Sequence, residues 1–276
     1  MIQTAGFKPK QVAFIPYSGF RGENLVDKTD KMPWYKGWKV NISKDEVVEG
    51  YTLYDALEKI SRPPKRYPDK PLRIPINGIY KIKGVGDVIT GRIEQGTLNS
   101  GDTVRVTPRG LDGLKVFSIE MHHKTWASAK PGDNVGMNIK GLDKTNMPKV
   151  GDVMSLQKEA ILEPVESFTA QVVVQEHPGQ LKSGFSPCVH VRTAKSACKM
   201  SKIIWKMGKR SGNEKIENPE FSEQGESAEI EFIPQQPIYL ESFDNCQGLG
   251  RIAVMDSNQL VMLGKIMNVK YKPYKN

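Results

Sequence analysis

Along residues 80–140 the chain alternates short β-favouring runs with turns marked by glycine, asparagine and aspartate. Residues 84–96, GVGDVITGRIEQG, hold two β-rich runs bounded by glycines that allow tight turns or close backbone approach. Residues 99–106, NSGDTVRV, read as turn and then strand: Asn99, Ser100 and Gly101 punctuate, while Thr103, Val104 and Val106 suit the pleat. PGDNVGMNI, residues 131–139, repeats the device. A Gly-Asp pair followed within two residues by valine occurs at Gly86, Gly101, Gly132 and Gly151. That interval suits short antiparallel strands, hence a barrel or sandwich rather than βαβ units.

The last part of the chain keeps the rhythm. HPGQLKSGFSP (177–187) reads as a loop, CVHVRTA (188–194) and SKIIWKM (201–207) as strands, and QGESAEIEFIP (224–234), IYLESF (238–243) and GRIAVMD (250–256) as further strands. SLQKEAILEPVE (155–166) breaks the pattern as a polar linker, and SRPPKRYPDKP (61–71) is a basic connector stiffened by its prolines. Ahead of it, QVAFIPYSGF (11–20) reads as a buried strand entering a Ser-Gly turn and DKMPWYKGWKV (30–40) as an aromatic-rich loop. YTLYDALEKI (51–60) reads as a short helix with Leu53, Ala56, Leu57 and Ile60 on one face. One strand and one helix cannot bury a core alone. The expected fold is therefore mainly β: two consecutive antiparallel β-barrels, 65–158 and 159–276, preceded by a short α/β segment, 1–64.

Composition adds boundaries. With 276 residues, 38% hydrophobic and 26% charged, the chain has room for two compact domains without staples. Cys188, Cys198 and Cys246 leave one thiol over in any pairing and show no CxxC spacing, which points to a reducing compartment such as the cytosol. No apolar run approaches the roughly 18 residues of a membrane span, and the opening MIQTAGFKPK lacks a signal-peptide core, so no membrane partner is expected. The net charge is +9, and eight bases with no acid fall within 177–213, followed by seven glutamates within 214–231. Gathered on one face, the bases would track phosphates; spread over both faces of a hairpin, they would be ordinary solvated surface. The sequence leaves both open.

Catalytic chemistry finds little support. His122 and His123 are adjacent, and strand neighbours point to opposite faces, so they are not expected to share a metal ion. No GxSxG frames a serine. GxxxxGK[ST] and Asn-Lys-x-Asp are both missing: Gly208-Lys209 is followed by Arg210 and Gly264-Lys265 by Ile266, so this chain by itself is not expected to bind or hydrolyse GTP. What remains is a grip on a nucleic-acid end, for which Tyr80, Glu120, His122, His123 and Asn134 are suitable types.

GVGDVITGRIEQG, the IEMHH run (119–123) and PGDNVG resemble domain 2 of the elongation factor Tu and 1-alpha family. FTAQVVV (168–174), HPGQLKSGFSP and GRIAVMDSNQLVMLGKI (250–266) resemble its domain 3. The wording is nearer the eukaryotic branch, elongation factor 1-alpha or the elongation-factor-like protein, which carries histidine at position 123. The resemblance implies a partial chain in which 1–64 closes a GTP-binding domain, with Ser18, Gly19 and Phe20 at the loop that touches guanine. It also implies that Tyr80, Thr90, Glu120, His123 and Asn134, with His122 beside them, line a pocket for the 3′-terminal adenosine and esterified amino acid of tRNA. His177, Gln180, Lys182, Arg192 and Lys195 fall on or beside the loop facing the T stem. GTP and magnesium are implied for the complete protein, and aminoacyl-tRNA, the ribosome, a guanine-nucleotide exchange factor and actin as partners in the cytoplasm. Two further readings stay open: a release-factor or ribosome-rescue relative that binds a protein mimicking tRNA, and an interaction module for the cytoskeleton.

Overall fold

A computed structural model describes residues 8–43, 46–143, 145–175, 179–209, 212 and 214–272. The chain divides into two compact units, Met1–Lys65 and Arg66–Asn276.

In the first unit β1 (Trp38–Asn41) and β2 (Val47–Gly50) form an antiparallel hairpin, and α1 (Leu53–Ile60) follows. Thr52 starts the helix by reciprocal capping: its Oγ1 accepts from the Asp55 amide (3.0 Å), and the Asp55 carboxylate accepts from the amides of Tyr51 (2.9 Å) and Thr52 (3.2 Å). Those backbone bonds hold the Asp55 carboxyl below its ordinary range. Trp38, Val40 and Ala56 make a small core. Two expectations need correction. Residues 11–17 form no strand, since they meet no ladder partner among the described residues, and Phe14 and Tyr17 stand exposed. The last three residues of the expected aromatic loop belong to β1, and Leu57 of the expected apolar helix face points to solvent.

The second unit begins with β3 (Ile74–Ile82), β4 (Gly86–Arg92), β5 (Leu98–Asn99), β6 (Thr103–Thr107), β7 (Leu111–Met121), β8 (Lys124–Trp126), β9 (Ser128–Ala129), β10 (Asn134–Lys140) and β11 (Val153–Leu156). The order β10-β4-β3-β11-β6-β7 closes on itself through β10–β7 pairing, leaving no free edge in a six-stranded barrel. Inward positions of the alternating strands, among them Ile74, Ile89, Val104, Ile119 and Met137, fill it. The four Gly-Asp sites sit at turns, with φ of 107°, 91°, 98° and 98° at Gly86, Gly101, Gly132 and Gly151, a region that favours glycine.

The second barrel uses β12 (Val165–Val174), β13 (Leu181–Lys182), β14 (Cys188–Val191), β15 (Ala194–Met207), β16 (Ile216–Glu217), β17 (Phe221–Ser222), β18 (Ser227–Pro234), β19 (Arg251–Asp256) and β20 (Gln259–Tyr271). The order β14-β19-β20-β12-β18-β15 closes through β14–β15. Phe168 and Phe232 stack at 5.3 Å in its core. Residues 238–243, expected as a strand, instead run as an irregular buried segment whose backbone is bonded piecemeal, to Val165, Leu249 and Ile266. This segment is the joint. Tyr239 with Val153, Leu162, Cys246 and Leu249 forms an apolar cluster shared by both barrels, and Arg73 of the first barrel is buried against Glu241 and Glu159.

Candidate nucleic-acid interface

The pairing register lays the outer face of the first barrel out in rows. Gly78, Thr90, Gly136 and Glu120 lie side by side across β3, β4, β10 and β7, the next row holds Tyr80, Val88, Asn138 and Ser118, and on the other side Arg92 opposes Asn134. Alternation puts all of these side chains outside the barrel. Gly136 in the middle row leaves a trough, and a groove of about 480 Å³ follows it, lined by Thr90, Glu120, His122, His123, Asn134 and Gly136 among others. Gly136 is bare without backbone need. An added methyl there would meet Val88 Cγ1 at 3.7 Å and the Glu120 carbonyl oxygen at 3.8 Å, which is ordinary contact, and its φ is not in the left-handed region.

The far wall is the β3–β4 turn. Asn138, buried on β10, donates from Nδ2 to the Val85 carbonyl at 2.6 Å, and the Val85 amide closes on Ile82 at 3.1 Å. This side-chain bond fastens the turn over one end of the groove. Nothing in the sequence singled out Asn138, because its partner is a backbone carbonyl 53 residues away.

His122 and His123 are not strand neighbours. Both have positive φ, 51° and 60°, as the two central residues of the tight turn joining β7 to β8, with Met121 paired to Lys124. The opposite-face premise is therefore replaced by a turn that carries both rings at the groove's rim. The His123 ring is fully exposed, its Nδ1 4.0 Å from Glu120 Oε1. Among the described residues no cluster of histidine, cysteine or acidic side chains could hold a metal ion. Of the expected groove residues, Thr90, Glu120, His122, His123 and Asn134 converge; Tyr80 lies beside the groove, 55% exposed, with its ring folded against Gly78.

The second barrel's candidates do not form one site. Gln180 precedes β13 and donates to Glu223 (3.2 Å), Lys182 ends that strand, and Arg192 and Lys195 stand at the β14–β15 hairpin. Arg192 is committed to an ion pair with Glu94 of the first barrel at 2.6 Å. His177 lies outside the described residues, as does Arg210 of the basic stretch. Antiparallel pairing also mixes the charges that the sequence segregates. Lys202 opposes Glu231, Trp205 Nε1 donates to Glu229 at 2.6 Å, and Lys206 is paired with Glu226 at 3.2 Å, so only part of the basic stretch stays free of acids. In the first unit, Ser18, Gly19 and Phe20 form a turn bridged to Glu23, with the Phe20 ring wholly exposed.

Comparison with known proteins finds matches to both barrels. The family model for elongation factor Tu domain 2 matches residues 86–155, and that for the GTP-eEF1A C-terminal domain-like family matches residues 167–267. The chain belongs to the elongation factor 1-alpha/Tu family. It is 40% identical over 269 residues to elongation factor 1-alpha of Mucor circinelloides f. lusitanicus and 41% identical over 269 residues to elongation factor 1-alpha-A of Schizosaccharomyces pombe. Each alignment covers 98% of this chain and 58% of the relative, so the chain spans less than two thirds of those proteins' length. Solved structures of Sup35 with GDP and with GMPPNP match 98% of this chain and 62% of theirs, at 27% identity and TM-scores of 0.67 and 0.68. No helix among the described residues is long and apolar enough to cross a membrane.

Proposed function

We propose that the two barrels grip aminoacyl-tRNA, with the groove on the first barrel taking the 3′-terminal adenosine and its esterified amino acid, for GTP-dependent delivery to the ribosomal A site. The observation that carries this reading is the convergence of Thr90, Glu120, His122, His123 and Asn134 on one groove floored by Gly136. In it the Glu120 carboxylate lies against the base, Asn134 supplies polar contacts at the opposite rim, and the exposed histidines stand where a ribose or phosphate passes. Lys182 and Lys195, on separate parts of the second barrel, add sequence-independent contacts to the phosphate backbone of the T stem.

GTP and magnesium belong to this proposal for the complete factor. The residues present supply a turn at Ser18, Gly19 and Phe20 for the guanine, and neither a phosphate loop nor an Asn-Lys-x-Asp motif, so no step is assigned to the nucleotide here. The same proposal takes the domain limits as 1–64, 65–158 and 159–276, the setting as the cytoplasm, and the ribosome, an exchange factor and actin as further partners. An RNA bearing a 3′-aminoacyl ester, mixed with the chain, is expected to hydrolyse more slowly at the ester. The Glu120→Ala/Asn134→Ala double variant is expected to lose that protection, and unchanged protection would remove the groove from the account.

The match to Sup35 structures favours a second reading, in which the barrels bind a protein shaped like tRNA. It expects indifference to the aminoacyl group.

A further inference from the structure

Alternation along β12 buries Ala170, Val172 and Val174 in the second barrel and turns Gln171 and Val173 outward. β20 and β18 flank this strand. Val173 stands between Leu263 on one side and Ser227 on the other, and in the next row Gln171 stands between Lys265 and Glu229. Val173 and Leu263 are 43% and 44% exposed, so two branched apolar side chains sit together on the outside of the sheet.

The charges beside that pair are segregated. Lys265 belongs to no ion pair among the described residues, and neither does Glu229, whose Oε2 accepts from the neutral Trp205 Nε1 at 2.6 Å. The tryptophan fixes the carboxylate in place and leaves its charge. With strands about 4.8 Å apart, the base and the acid stand about 10 Å from each other across Gln171, one on each flank of β12. They do not meet within the chain.

We propose that this face binds a second copy of the chain about a two-fold axis running along β12. Such an axis lays β12 over itself and exchanges its flanks. Val173 then meets Val173 of the second copy, each Leu263 covers the other chain's Ser227, and each Lys265 meets the other chain's Glu229. A face with a base on one flank and an acid on the other complements itself in this way, whereas a face of uniform charge repels its own copy. The barrel is convex, which confines the contact to the three central strands and sets the expected dissociation constant on the order of 10 µM. In the closed order β12 is three strands from β14 in either direction, so the β14–β15 hairpin with Lys195 faces away from the contact.

Sedimentation equilibrium of the whole chain from about 1 to 100 µM tests it. The average mass of the wild type is expected to rise toward that of a dimer. Val173→Asp sets two carboxylates face to face and is expected to weaken association about tenfold or more, with an unchanged urea midpoint. Lys265→Glu and Glu229→Lys are each expected to stay monomeric alone and to associate when mixed, because the mixed dimer carries one native and one reversed ion pair. A wild-type chain that stays monomeric at the highest concentration overturns the proposal and leaves the face to a different protein. Association undiminished in Val173→Asp, or charge variants whose mixture stays as monomeric as its parts, overturns it as well.

Discussion

The guanidinium of Arg73, on the approach to the first barrel, is buried against the carboxylate of Glu241, in the irregular segment of the second. Tyr239 donates to the same carboxylate at 2.8 Å, and Arg73 also reaches Glu159 at 3.1 Å. Removing Arg73 leaves two carboxylates short of a cation in a site closed to water. Arg73→Ala is therefore expected to cost about 3–5 kcal/mol, read as a lower urea midpoint, while Arg73→Met with Glu241→Leu recovers only the part due to Glu241, because Glu159 still lacks its cation and the Tyr239 hydroxyl loses its acceptor. If the single variant loses less than about 1 kcal/mol, the joint is not held by this pair.

The cysteines should separate by burial. Burial pushes the Cys198 thiol up to about 12 and the Cys246 thiol up to about 11, so both stay protonated at pH 8, whereas Cys188 is partly exposed. Alkylation at pH 8 followed by mass spectrometry is expected to mark Cys188 in the folded chain and all three after urea. Native labelling of Cys198 would contradict the barrel core.

Asn138 gives a prediction about shape. Asn138→Ala removes the donor to the Val85 carbonyl and is expected to cost about 1 kcal/mol and to speed amide exchange in the Ile82–Gly86 turn. Exchange there at the wild-type rate would show that the turn holds without it.

The first unit carries an acid response. The Asp55 carboxyl is lowered by its bonds to the Tyr51 and Thr52 amides, so its contribution is present above the ordinary carboxylate range and is lost as pH falls through the folded value. Helix α1 is expected to lose amide protection in strong acid at a higher pH than the barrels do. Asp55→Asn should remove this step, and an unchanged acid profile in that variant would refute the cap's role.

Much of this was legible before the fold. The Gly-Asp turns and the alternation around them marked the first barrel because local turn chemistry and period-2 burial act over a few residues. Thr90, Glu120 and Asn134 were legible through family resemblance, although their convergence depends on a register spanning three strands. The 238–243 run misled because it buries residues as a strand would, Ile238 and Leu240 in the second barrel's core and Tyr239 in the joint, while its backbone joins no ladder, and burial alone does not distinguish the two. The histidine pair misled because a two-residue turn with positive φ rarely uses such residues. Arg73 and Asn138 were silent, and Arg192 was read as an RNA contact rather than as the partner of Glu94, since each pairs with a residue distant in the chain.

The claim that the groove is a binding site turns on Gly136, which the barrel does not require to be glycine. Titrating 3′-aminoacylamido-adenosine into the wild-type chain and into Gly136→Val, with the urea midpoint of each measured alongside, tests it most directly. The account predicts saturable binding to wild type and a loss of about tenfold or more in the variant, with closely matched midpoints. Equal affinity for both chains would contradict it.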